Sequence, residues 1–283
     1  MSTGKPRHLT VIVLLLILAS YGCQKETNVN INFQRGIAST RSYVFAQQMM
    51  TQIMATYFKA ITDSALIVEG FGFVDGAAVY YFADEQPRRI TFDYPSYSVV
   101  DPYGHYRGGL IHATTSQGFR EKDAVVQFRF DNFLYNLDTV QIDSMMLVNN
   151  SAVNGSNNNF NVSASRVTYD FSDSTGTLTF GFEQEFSLFK YQNTLYYNPM
   201  DSIGISGYLS GNTARDLDFS AGNGSDSALL FSYQCNWLKA GVVQIETDMF
   251  KYPATAYFQS ADSCENVYLV VIDESPFTVL IEE

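Results

Sequence analysis

Hydrolytic chemistry on a protein needs an oriented imidazole beside a nucleophile, or two carboxylates flanking a bond. The chain contains three histidines, His8, His105 and His112. His105 falls in the turn-like run Pro102-Tyr103-Gly104-His105-Tyr106-Arg107 and His112 in a strand-like run. No Gly-x-Ser-x-Gly elbow, phosphate loop or His-Glu-x-x-His spacing accompanies them, so the sequence assigns no catalytic residue. Among the carboxylates, Glu183 and Glu185 stand two apart and therefore share one strand face. They suit either one half of a glycosidase pair or an ordinary solvated surface, and their polar neighbours favour the surface. Asp216 and Asp218, close to Asn223-Gly224-Ser225-Asp226, could offer oxygens to calcium, although the Asp-x-Asp-x-Asp-Gly ladder is missing. No other metal or cofactor is expected. The tyrosines are a different resource. Tyr94, Tyr97, Tyr103 and Tyr106 crowd a segment broken by Pro95, Pro102 and Gly104, and Tyr196-Tyr197 form a second group. Loop aromatics that cannot all be buried would make a platform for stacking on a sugar, whereas aromatics within strands mostly fill cores.

The elements that would position these groups are one helix and many strands. Val44, Phe45, Met49, Ile53 and Tyr57 recur at three- and four-residue intervals, with Met50, Met54, Phe58 and Ile61 widening the stripe. This predicts an amphipathic helix within 37–66 that lays its apolar face on a sheet. Ser39 or Thr40 could cap its start, and Asp63-Ser64 lies near its end. From 67 to 283 the period is two. Ile90, Phe92 and Tyr94 alternate with Thr91 and Asp93, and Val126, Phe128 and Phe130 with Gln127, Arg129 and Asp131. Leu178, Phe180, Phe182 and Phe186 oppose Thr179, Glu183 and Glu185. Turn signals such as Asp75-Gly76, Asn154-Gly155 and Asn223-Gly224 punctuate the runs. The fold class expected is all-β, an antiparallel β-sandwich (one large or two packed) preceded by one amphipathic helix.

Composition narrows the partners. The 283 residues carry 17 Lys and Arg against 29 Asp and Glu, a net charge of −12, which excludes wrapping of nucleic acid. The N-terminus reads as an address. Lys5, Arg7 and His8 precede an apolar run from Leu9 to Ala19, too short for a bilayer span, and residues 1–22 are read as a signal peptide. The Gly22-Cys23 junction resembles the lipobox of bacterial lipoproteins, in which the cysteine is acylated and becomes the new N-terminus. Residues 23–36 then form a lipidated tether. Loss of Lys5 and Arg7 with 1–22 leaves 15 basic against 29 acidic residues, −14, so acyl chains rather than charge would hold the protein to an anionic membrane. With Cys23 lipidated, Cys235 and Cys264 remain as an even pair in an oxidising compartment, to be joined as a disulfide or buried as free thiols.

A longer resemblance follows the chain. Arg89-Ile90-Thr91-Phe92-Asp93-Tyr94, Arg107-Gly108-Gly109-Leu110-Ile111, Phe130-Asp131-Asn132-Phe133, Gly204-Ile205-Ser206-Gly207, Cys235-Asn236-Trp237 and Cys264-Glu265-Asn266 occur in that order. The series is similar to a group of Bacteroidota surface lipoproteins over residues 70–283. It departs from that group at Pro95, where glycine is usual, and at Glu265, where aspartate is usual. The resemblance implies a β-rich fold and outer-membrane surface location, and carries no activity.

One further pattern resembles the acceptor for periplasmic O-glycosylation in Bacteroidota: Asp, a hydroxyl residue, then a small or apolar residue. It would mark Ser64, Thr139, Ser144, Ser174, Ser202 and Ser227, with Ser144, Ser202 and Ser227 favoured as turn positions. Asp-Ser pairs that close turns before strands would produce part of the same excess. Three function classes stay open. The first is a lipid-anchored, non-enzymatic envelope protein that binds or scaffolds, with another envelope protein as partner. The second is a glycan-binding lipoprotein of a polysaccharide-uptake system, which would show aromatics exposed in a row. The third is a carbohydrate-active enzyme, which would show two carboxylates across a cleft.

Overall fold

The computed structural model describes the backbone from Arg7 to Leu280, apart from residues 103, 152, 154–157, 174, 236, 250–252, 260–263 and 265. Side chains are described from Phe33 onward, apart from the same residues and 96–99, 259 and 280. Helix α1 runs Arg7–Thr62 and a short α2 runs Ser64–Glu69. The segment 23–36, expected as a tether, is thus traced within α1. The strands of the first half are β1 (Phe71–Val74), β2 (Ala77–Phe82), β3 (Arg88–Val100), β4 (Tyr106–Thr115), β5 (Val125–Tyr135), β6 (Asp138–Ile142), β7 (Met145–Asn149) and β8 (Asn158–Asp170). Those of the second half are β9 (Thr177–Phe189), β10 (Ser202–Asn212), β11 (Asp218–Asn223), β12 (Leu229–Ser232), β13 (Leu238–Thr247), β14 (Ala254–Gln259), β15 (Val267–Ile272) and β16 (Ser275–Leu280).

All sixteen strands form one antiparallel sheet whose strands pair largely in chain order. Short loops permit this, since antiparallel neighbours need no crossover. Two places depart from a simple meander. β6 and β7 lie end to end between β5 and β8, and β12 lies between β10 and β13. The antiparallel all-β architecture with one main preceding helix is therefore as the alternation of residues predicts.

The helix differs from expectation in its surroundings. Every residue from Ala46 to Thr62 is buried, so α1 has no wet face here. The sheet curls around it: Tyr57 meets Phe128 of β5 at 5.1 Å, Phe58 meets Phe160 of β8 at 4.6 Å, and Phe33 meets Phe277 of β16 at 4.5 Å. Each fully buried phenylalanine contributes about 1.5–3 kcal/mol. Within 46–62 the polar side of the helix is uncharged apart from Lys59 and finds partners on the inner face of the sheet. Gln47 and Gln184 exchange amide hydrogen bonds at 2.7 and 3.2 Å, Tyr135 donates to Gln52 at 2.7 Å, and the Leu238 amide donates to Gln48 at 3.2 Å. Satisfied in this way, these amides are buried without the several-kcal/mol penalty of unmade bonds.

Cys235, in the turn after β12, and Cys264, before β15, are joined by a disulfide with Cα atoms 4.8 Å apart. Among the described residues no helix is long and apolar enough to cross a membrane.

Candidate functional site

The first hairpin begins with two local signals. Asp63 caps α2 by accepting from the Ala65 and Leu66 amides at 2.9 and 3.0 Å, and Gly70 ends it in the left-handed region at φ 72°. Asp75 and Gly76, at φ 47° and 83°, then supply the two positive angles that a tight hairpin turn requires. The Asp75 side chain points inward, accepting from Thr56 at 2.8 Å and pairing with Lys59 at 2.6 Å, which ties the hairpin to the helix. Burial pulls the Lys59 ammonium below its ordinary range while Asp75 opposes the shift.

The hairpin thereby presents rings to solvent. Phe71 is 42 % exposed, Phe73 73 % and Tyr80 38 %. Phe73 and Phe71 are 5.3 Å apart, Phe71 and Tyr80 5.2 Å, and Tyr80 and Phe82 6.4 Å, with the Arg89 guanidinium 4.4 Å over Phe82. Phe73, Phe71 and Tyr80 thus form a contiguous row of exposed aromatics on a sheet face, with half-buried Phe82 at its end.

Polar groups continue that face. The register sets Phe71, Tyr80, Thr91, His112 and Arg129 side by side on β1 to β5. Thr91 Oγ1 lies 2.9 Å from His112 Nδ1, His112 Nε2 lies 3.4 Å from Asp131, and Arg129 Nε donates to Asp131 at 2.8 Å. Partial burial lowers the imidazole pKa below its ordinary 6.5 against the pull of Asp131. In the neutral tautomer with its proton on Nε2, that nitrogen donates to the carboxylate and Nδ1 accepts from Thr91. A hydroxyl, an imidazole and a carboxylate stand in line as in a nucleophilic triad. Acyl transfer also wants backbone donors aimed at the developing oxyanion. β3 and β4 are each paired on both sides, so their amides lie in the plane of the sheet and are used by the ladder. The line is better suited to orienting hydrogen bonds toward a ligand than to acylation.

On the inner side of the same strands lies a buried charge cluster. Arg107 is fully buried, pairs with Asp101 at 2.6 Å, and donates to Thr56 at 3.1 Å and to the Tyr94 hydroxyl at 3.2 Å. Burial works against its charge, but Tyr94, Asp101 and Tyr135 more than restore it. His105 stacks on Tyr135 at 4.8 Å, and its backbone amide donates to Asp101 Oδ1 at 2.9 Å.

Of the four tyrosines expected as a platform at 94–106, one lies in the core. Tyr94 is 2 % exposed, on the inner face with Ile90 and Phe92, because Arg107 draws its hydroxyl inward. The side chains of Tyr97 and Tyr103 lie outside the described residues, and Tyr106 is exposed. Tyr196 and Tyr197 are exposed in the loop between β9 and β10. Glu183 and Glu185 share the outer face of β9. Asp216 occupies a turn at φ 60°, and among the described residues no three His, Cys, Asp or Glu side chains gather as metal ligands. Cys23 falls in the part of α1 whose side chains are not described.

Four of the six Asp-hydroxyl pairs contain an aspartate with a structural partner. Asp63 caps a helix; Asp138 accepts from Tyr169 at 2.6 Å and the Ser172 amide at 2.8 Å; Asp173 accepts from the Thr175 amide at 2.9 Å. Asp201 is buried against Lys190 and accepts from the Tyr191 and Asn198 amides. Ser64, Thr139 and Ser144 are exposed, Ser227 is half-buried, and Ser174 lies outside the described residues. Ser202 is no accessible turn: it sits half-buried in β10, paired with Phe189 and Ser232 on either side.

The aromatic hairpin, Asp131 and the Arg107 cluster were not singled out by sequence as a site. The Asp75-Gly76 turn flanked by Phe71, Phe73, Tyr80 and Phe82 was the available signal. Comparison with protein-family models, curated proteins and solved structures finds no match to this chain.

Proposed function

We propose that this protein is a lipid-anchored cell-envelope protein that binds a glycan without transforming it, and that the outer face of β1 and β2 is where the sugar stacks. The observation that carries this reading is the row Phe73, Phe71, Tyr80 and Phe82, continued by Arg89. An exposed apolar patch rimmed by polar groups marks an interaction surface. A sugar ring matches it chemically, presenting C–H groups to the aromatic faces and hydroxyls to His112, Asp131 and the exposed Arg129 beside them. The signal-like N-terminus, the Gly22-Cys23 junction and the resemblance to Bacteroidota surface lipoproteins support attachment at the outer membrane.

Two measurements test the reading. Metabolic labelling with an alkynyl fatty acid is expected to mark the wild type and not Cys23→Ala; labelling that persists in the variant refutes the anchor. On a glycan array, the detergent-solubilised full chain is expected to retain at least one glycan. Loss of both rings in Phe71→Ala/Tyr80→Ala should cost about 1–1.5 kcal/mol each, weakening binding by roughly tenfold or more. Since both rings are surface groups, the melting temperature should hold. Retention of nothing, or equal retention by the double variant, overturns the assignment.

A further inference from the structure

The aromatic hairpin is one end of a longer feature. Read across the sheet by register, Phe82 stands opposite Arg89, Arg89 opposite Thr114, and Thr114 opposite Gln127. Gln127 then stands opposite Met146, Met146 opposite Ser163, Ser163 opposite Glu183, and Glu183 opposite Tyr208 of β10. Directly opposed residues of antiparallel strands point to one face, so these eight side chains form a single outward row. At the usual spacing of about 4.8 Å between strands, seven steps span roughly 34 Å. Tyr208, at the far end, is 51 % exposed.

The row follows two adjoining depressions. The first, of about 330 Å³, is lined by Arg89, His112, Thr114, Gln127 and Arg129. The second, of about 600 Å³, shares Gln127 and opens where β6 gives way to β7, between Ser144, Ser163, Ser165 and Glu183. The break in strand pairing explains it: β8 shifts register between Ala164 and Val167, leaving Ser144 and Ser165 to bond each other at 2.9 Å. An aromatic at each end and hydroxyl, amide and carboxylate groups between them make a track.

We infer that the ligand is an extended neutral polysaccharide chain laid across the strands from the β1–β2 hairpin to Tyr208, rather than a terminal sugar or a polyanion. This rests on the glycan-binding reading above. Three observations favour such an occupant. The track is long and open at both ends, which fits a polymer bound along its length. Its second depression is lined by hydroxyls, Asp143 and Glu183 with no lysine or arginine, which suits sugar hydroxyls as donors and repels sulfates and carboxylates. In the first depression the cations already have acidic partners: Arg129 bonds Asp131 and Arg89 bonds Glu85.

The test is calorimetry on the detergent-solubilised full chain with neutral gluco- and manno-oligosaccharides of two to eight units and with a sulfated polymer. A ligand that reaches Tyr208 gains one more stacked ring, so the longest chains should bind about tenfold tighter than the shortest. Tyr208→Ala and Glu183→Gln should remove that gain and leave short-chain binding unchanged, whereas Phe71→Ala/Tyr80→Ala should weaken every length. Binding that is independent of length, or a gain that survives in Tyr208→Ala, overturns the track while leaving the hairpin site standing. Tighter binding of the sulfated polymer overturns the neutral class. No binding at any length removes the glycan reading together with the track.

Discussion

Arg107→Ala is expected to lower stability by about 3–5 kcal/mol, because removing one member of a buried ion pair leaves the other charge stranded. In a chain of this size that is a fall of roughly 6–20 °C in melting temperature. The site explains the magnitude. Both side chains of the Arg107–Asp101 pair are wholly buried, and the guanidinium also bridges Thr56 of α1 to Tyr94 of β3. Its loss leaves the Asp101 carboxylate without its ion-pair partner and the Tyr94 hydroxyl without that donor. The double variant Asp101→Leu/Arg107→Met is expected to be more stable than Arg107→Ala, since no charge is left behind. Thermal melts followed by circular dichroism decide it. A shift under about 2 °C for the single variant would show that the pair is peripheral to stability.

Gly109→Ala should be at least as damaging. Gly109 has φ +86°, and a Cβ there would sit 2.2 Å from the Asn132 carbonyl oxygen and 2.8 Å from that of Asp131. Both atoms are backbone, so no rotamer change relieves the overlap. Gly109 also marks the irregularity that lets β4 and β5 change register between Gly108 and Leu110. Displacing it should separate His112 from Asp131 and loosen the line of Thr91, His112, Asp131 and Arg129. A loss on the order of 3–5 kcal/mol is expected from strain and broken pairing together. Gly104→Ala is the control: φ is +90° but nothing lies within 4 Å, so only the backbone penalty of about 1–2 kcal/mol applies. Equal melting temperatures for the two variants would mean that β4 and β5 can part at Gly109 without cost.

The parts of this arrangement that sequence could carry are those with a local cause. Alternation in β3, β5 and β9 sorts inner from outer residues, and Asp75-Gly76 announces a tight turn by residue type alone. Tyr94 shows how one cue can mask another. It shares the phase of Ile90 and Phe92, which places it in the core, yet Pro95 beside it suggests a loop. In the first hairpin both faces are apolar. Phe71 and Phe73 alternate with Gly72 and Val74, and Tyr80 and Phe82 with Val79 and Tyr81, so pattern alone does not say which set faces out. Thr91, His112 and Asp131 come together only through strand register, a long-range property. The helix carried a readable hint. A solvent-facing stripe would be rich in Lys and Glu, whereas the polar positions of 43–62 are Gln and Thr apart from Lys59 and the tyrosine hydroxyls.

A helix enclosed by its own sheet also constrains how the chain reaches its native state. α1 leaves the ribosome before any strand, yet its partners extend from Asp75 at the first turn to Phe277 in the last strand. Until β16 arrives, Met49, Met50, Ile53, Met54, Tyr57 and Phe58 have no complete cover. Contacts so distant in sequence make for slow folding, with sticky surface shown in the interval. Folding therefore depends on keeping the emerging helix covered until the last strand has been delivered.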